Sequence, residues 1–126
     1  MINTENGTVI FDDNFQLKKG MTFDDFKNSR YYNNQNYKRL FYIYDLKLSR
    51  QSFIVGLFFR ENKLYSISLI LDDRTINQNE EEYRKQLHDR FLKENKINSI
   101  KNYRWGTLSS NYDRRSNISS IDIVYT

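Results

Sequence analysis

The chain is 126 residues long, 38% hydrophobic and 16% aromatic, with ten Tyr and nine Phe; that suits one domain with one core and argues against disorder. It has no cysteine, which excludes disulfides and thiolate metal sites, and no run near the roughly 20 apolar residues of a membrane helix. Twenty Lys and Arg against sixteen Asp and Glu leave +4, carried in scattered pairs such as Lys18-Lys19, Lys38-Arg39 and Arg114-Arg115, a solvated surface rather than a nucleic-acid track.

The opening Met1 to Gly7 lacks the basic and apolar segments of an export signal, so a cytoplasmic, soluble protein is expected. Thr8 to Phe11 is a short apolar run ended by Asp12-Asp13-Asn14, an edge strand and a turn. Thr22 with Asp25 three residues on has the form of a capping box, and opens a helix of two turns with Phe23 and Phe26 on one face. Tyr31 to Tyr37 is an Asn-rich loop flanked by Tyr31, Tyr32 and Tyr37, rings with polar tips of the kind enriched at protein interfaces.

From Lys38 to Leu48 the pattern alternates. It predicts a strand with Leu40, Tyr42, Tyr44, Leu46 and Leu48 facing the core and Phe41, Ile43, Asp45 and Lys47 facing out. Ser52 to Leu71 is the most apolar stretch, divided by Arg60-Glu61-Asn62-Lys63 into two strands. Phe53, Val55, Leu57 and Phe59 alternate with the equally apolar Ile54, Gly56 and Phe58, as in the middle of a sheet. Tyr65, Ile67, Leu69 and Leu71 form the buried set of the second strand, opposite Ser66 and Ser68. These strands make a meander of three.

A polar connection leads to a helix of about four turns over Glu80–Asn95, capped by Asn79, with Tyr83, Leu87 and Phe91 in a stripe that Leu92 widens. Asn98 to Asn102 reads as a connection. Tyr103–Tyr112 and Ile118–Tyr125 read as a second hairpin around an Asp113–Asn117 turn, with Ile121, Ile123 and Tyr125 facing inward. The expected architecture is one α+β domain over residues 1–126. It has a single antiparallel β-sheet of five to six strands with one long and one short α-helix packed on it.

Little in this chain is suited to catalysis. A nucleophilic triad needs a base, and the one histidine, His88, lies on the long helix with no supporting motif. Asp12-Asp13, Asp24-Asp25 and Asp72-Asp73 are adjacent in sequence, which points each pair apart, and they sit where acidic residues cap and turn. Four glycines form no phosphate loop. No catalytic residue, cofactor or metal is expected. A small RNA-binding module is the alternative: rings on a sheet beside Arg or Lys would stack bases. Against it, Phe58-Phe59-Arg60 departs from the Arg-Gly-Phe-type signature, and alternation assigns most rings to the core.

The most specific pattern is C-terminal: Trp105-Gly106-Thr-Leu-Ser109-Ser110-Asn-Tyr112-Asp113, a short loop, then Ser120-Ile121-Asp-Ile123-Val-Tyr125. With Lys19-Gly20-Met21-Thr22 running into Phe26, and Leu87-His88-Asp89-Arg90-Phe91-Leu92, it resembles a group of small bacterial proteins akin to immunity proteins. These belong to contact-dependent growth inhibition and related polymorphic toxin systems. The resemblance implies a cytoplasmic, stoichiometric inhibitor of a cognate toxin C-terminal domain, often a nuclease, and no enzymatic turnover. The motif residues themselves read as fold markers, Trp105 and Gly106 in a packed strand and Tyr112 with Asp113 at a turn. Candidate contacts are Tyr31, Tyr32 and Tyr37 in the Asn-rich loop and Asp113, Arg114 and Arg115 in the C-terminal turn. Since the chain is +4, the partner surface is expected to be neutral to acidic, or the contact local and aromatic.

Overall fold

A computed structural model describes residues 1–34, 40–73, 80–98 and 100–126. In chain order the elements are β1 (Ile2–Asn3), β2 (Thr8–Ile10), β3 (Gln16–Leu17), α1 (Phe23–Lys27), β4 (Leu40–Leu48), β5 (Gln51–Arg60) and β6 (Lys63–Leu71), followed by α2 (Glu81–Glu94), β7 (Ile100–Tyr103), β8 (Gly106–Asp113) and β9 (Ile118–Tyr125). The last six strands form one sheet in the order β4-β5-β6-β9-β8-β7, every pair antiparallel. The meander is as expected; the C-terminal hairpin forms too, but its first strand begins at Gly106, since Tyr103 ends β7 and Arg104 and Trp105 make the turn between them. Two features correct the reading from sequence. Residues 100–103 are a strand, not a connection, and the N-terminal segment builds a separate three-stranded sheet in the order β1-β2-β3. Val9, Phe11 and Leu17 of that segment join the buried core of the large sheet.

Two tight turns shape the meander. Ser49 and Arg50 join β4 to β5, and Glu61 and Asn62 join β5 to β6, all four with positive φ. That is the type I′ geometry whose twist matches antiparallel strands. β5 is regular, so Phe53, Val55, Leu57 and Phe59 are buried on one face. Its neighbours each carry an irregularity. In β4 the register jumps between Ile43 and Leu46, and Asp45 takes the left-handed conformation at φ 59°. The bulge lets Phe41 and Ile43 face inward before it, and Leu46 and Leu48 after it. Leu40, Tyr42 and Tyr44 therefore point outward, the reverse of the parity expected from strict alternation. In β6 the register jumps between Phe58 and Phe59, so that Leu64, Ile67, Leu69 and Leu71 are buried and Tyr65 swings outward.

All the described covering elements lie on the face of Phe53, Val55, Leu57 and Phe59. The capping box forms as the sequence indicates, Thr22 Oγ1 accepting the Asp25 amide at 3.1 Å and the Asp25 carboxylate accepting the Thr22 amide at 2.9 Å. The helix it starts is shorter than two turns, only five residues, but Phe23 and Phe26 still reach Phe41 and Phe59 with ring centroids 5.1–5.9 Å apart. The small sheet is pinned at both ends. The Asp12 carboxylate accepts the Ser49 and Arg50 amides at the β4–β5 turn, while Trp105 Nε1 donates to the Thr4 carbonyl and the Tyr125 hydroxyl to that of Gly7.

The long helix packs against β6, β8 and β9, but through a different stripe from the one expected. His88, Phe91 and Leu92 are buried, Leu87 is half-buried, and Tyr83 is 46% exposed. A rotation toward Glu81, Arg84 and His88 is favoured because these residues meet otherwise unpaired backbone and each other. The Arg84–Glu81 ion pair is 2.5 Å long with both side chains nearly covered, and Ser119 Oγ donates to the Glu81 carbonyl. Asn79, the expected cap, lies outside the described residues; Glu80 stands at the N-cap without a side-chain capping bond.

Candidate interaction surface

With α1, α2 and the small sheet all on one side, none of the described elements covers the opposite face of the six-stranded sheet. Its composition follows from the registers. Leu40 lies beside Phe58 and Tyr42 beside Gly56, while Phe58, Gly56 and Ile54 lie beside Ser66, Ser68 and Ile70. Beyond them come Val124 and Asp122, then Thr107 and Ser109. The face is therefore apolar and aromatic over β4–β6 and hydroxyl-rich over β9–β8. Leu40, Tyr42 and Tyr44 are 41%, 47% and 66% exposed. The Tyr42 ring lies over Gly56, where an added Cβ would come 3.3 Å from its Cε1. The missing side chain of Gly56 is what seats the ring.

At the β5–β6 turn this face acquires charge. The bulge that turns Tyr65 outward sets its ring 5.9 Å from that of Phe58, edge to face, and the Arg60 guanidinium stacks over it at 3.8 Å from the centroid. Lys19, Lys63, Arg60 and Tyr65 line a shallow basin of about 320 Å³ there. Among the described residues, no carboxylate pairs with Lys19, Lys63 or Arg60.

The contacts expected from sequence are elsewhere and are separated from one another. Tyr31 is half-buried, its ring 4.6 Å from that of Phe15, with Arg30 over its other side and its hydroxyl on Asp13. Burial would raise the Asp13 carboxyl, but hydrogen bonds from Tyr31, the Phe15 amide and Arg30 hold it below its ordinary value. Tyr32 packs edge-on against Phe23, Phe26 and Phe41. Both rings thus have packing roles at the β4 side of the core, and Tyr37 lies outside the described residues. Asp113, Arg114 and Arg115 are exposed on the β8–β9 turn, with β5 and β6 between that hairpin and β4. The Asp113 carboxylate accepts the Arg115 amide, which closes the turn. Sequence reasoning missed Tyr42, Tyr44, Arg60 and Tyr65. The sequence carried no signal for the β4 rings, since Leu40, Tyr42 and Tyr44 continue the parity of Leu46 and Leu48 and are as bulky as Phe41 and Ile43.

His88 is fully buried in the middle of α2, and Nε2 accepts the Leu71 amide at 2.9 Å. Burial, reinforced by the charge of Arg84, brings its pKa down to about 4. Asp12 and Asp25 cap backbone, as their positions suggested. Among the described residues no three His, Cys, Asp or Glu side chains gather as a metal site, and no helix is long and apolar enough to cross a membrane. Comparison with protein-family models, curated proteins and solved structures gave no match.

Proposed function

We propose that this chain is an immunity protein, a stoichiometric inhibitor that binds and neutralises the C-terminal domain of a cognate bacterial toxin in the cytoplasm. The observation that carries the reading is the open β4–β6 face, where Leu40, Tyr42 and Tyr44 stand in solvent on a rigid sheet. Rings with few rotatable bonds, held by strands, lose little entropy on docking, which suits tight association without turnover. The C-terminal resemblance supports the same reading. Its residues have folding roles: Trp105 stacks on Tyr103 and binds Thr4, and Tyr112 bonds Asn117 across the turn. They mark the scaffold and leave recognition to the open face.

The test is co-expression with the C-terminal domain of the polypeptide encoded next to its gene. A one-to-one complex on size exclusion and restored growth are expected; the absence of both would end the reading. A second reading, RNA binding, is favoured by one observation: Tyr42 and Tyr44 are on the surface, so the objection that alternation buries the rings no longer covers them. It predicts affinity for a mixed-sequence single-stranded RNA that falls steeply with salt.

A further inference from the structure

The open face is not uniform. Among the described residues its one stacked cation is Arg60, on the same side of β5 as Phe58, lying on the Tyr65 ring at 3.8 Å. Stacking restricts the guanidinium while leaving its N–H edge free, and no acidic side chain pairs with it among the described residues. A planar fork held in this way matches a carboxylate bidentately. Next to it Phe58, Leu40 and Tyr42 continue the face over β5 and β4, and Lys19 and Lys63 line the basin together with Arg60. Among the described residues, Glu61 supplies the only acidic side chain lining that basin.

We infer that Arg60 and Tyr65 form the anchor for the partner, receiving an acidic side chain of the toxin domain while neighbouring apolar side chains of the toxin settle on Phe58, Leu40 and Tyr42. The inference rests on the immunity reading and specifies its surface. Charge complementarity selects the occupant: Arg60, Lys19 and Lys63 line one basin, and the apolar patch of Phe58 and Leu40 lies next to it along the strands, so the matching surface is acidic with apolar residues beside it. A phosphate backbone fits less well. Leu40, Ile54, Ile70 and Val124 present aliphatic groups that cannot stack bases, and Asp122 stands farther along the same face. Buried Arg and Tyr anchors dominate many protein interfaces.

The experiment measures binding of the adjacent-gene toxin domain to the wild-type chain and to Arg60→Glu and Arg60→Lys, with thermal unfolding of each and Arg90→Glu, exposed on α2 at the covered side of the sheet, as a control away from the face. Arg60→Glu is expected to weaken binding by about thirtyfold or more. Arg60→Lys should weaken it less, and Arg90→Glu should leave it unchanged, all with unaltered melting. If the wild type binds and Arg60→Glu binds equally well, the anchor is wrong and the immunity reading stands. If the wild type does not bind at all, both fall. Salt-dependent binding of a mixed-sequence single-stranded RNA that Arg60→Glu abolishes would overturn the anchor in favour of nucleic acid.

Discussion

His88 and Leu71 close the end of a strand ladder. Pairing of β6 with β9 stops at Leu69, while the chain of β6 runs on to Leu71 beside β5. His88 Nε2 accepts the Leu71 amide at 2.9 Å, and Arg84, one helical turn earlier, donates to the Leu71 carbonyl. Two side chains of α2 thus replace a missing strand, satisfying backbone groups that would otherwise be buried without partners.

This arrangement makes stability depend on pH. The bond requires neutral imidazole, and burial lowers the folded-state pKa from 6.5 to about 4. Between those values the unfolded chain binds more protons, so stability is complete above pH 6.5 and is lost as pH falls toward 4. Urea denaturation at pH 7 and pH 5 should differ by about 2 kcal/mol. In His88→Gln, which can accept the same amide but cannot titrate, the difference should vanish; an equal difference in the variant would assign it to other groups.

Gly106 allows β8 to lie against β9. Its φ is 150°, and a Cβ there would fall 1.9 Å from the Val124 carbonyl oxygen, a backbone atom that cannot rotate away. Gly106→Ala should cost about 3 kcal/mol or more, read as a lower denaturation midpoint. Gly20→Ala is the comparison: φ is 88° but no atom lies within 4 Å, so only conformational strain of about 1 kcal/mol is expected.

Asp12 stabilises a turn made of poor turn residues. Ser49 and Arg50 both adopt positive φ without being Gly or Asn, and the Asp12 carboxylate accepts their amides at 3.1 and 2.8 Å. Asp12→Ala should destabilise by about 1–3 kcal/mol. Arg50→Gly in that background should recover part of the loss, because glycine adopts the turn conformation without strain. Failure of glycine to recover any stability would show that the carboxylate acts on docking of the small sheet and not on the turn.

Much of the core was legible from residue pattern. Phe53, Val55, Leu57 and Phe59 face inward as alternation predicts, and so do Ile67, Leu69, Ile121 and Ile123. Thr22 and Asp25 signalled their helix start. The open face was not legible, because one inserted residue at Asp45 reverses parity along the strand. Both parities there are apolar, so composition could not show where the reversal fell. The helix stripe misled for a related reason. Tyr83 continues the apolar spacing, yet Arg84 and His88 are turned inward by backbone groups of Leu71 that the helix sequence does not contain.

By itself, the sequence determined the local elements whose signals lie within a few residues: the strands of the meander, the capped short helix, the amphipathic long helix and the C-terminal hairpin. It also determined that one core would form around aromatic and β-branched side chains, since removing those groups from water is the main force driving folding. Only the tertiary structure decided which side of the sheet would be covered. The N-terminal segment folds into its own small sheet and joins both helices on one face, held by bonds such as Trp105 to Thr4 that connect residues far apart in the chain. Covering one face left Tyr42, Tyr44 and the Arg60–Tyr65 pair in solvent. That result depends on long-range packing and two bulges, which no short window of sequence contains.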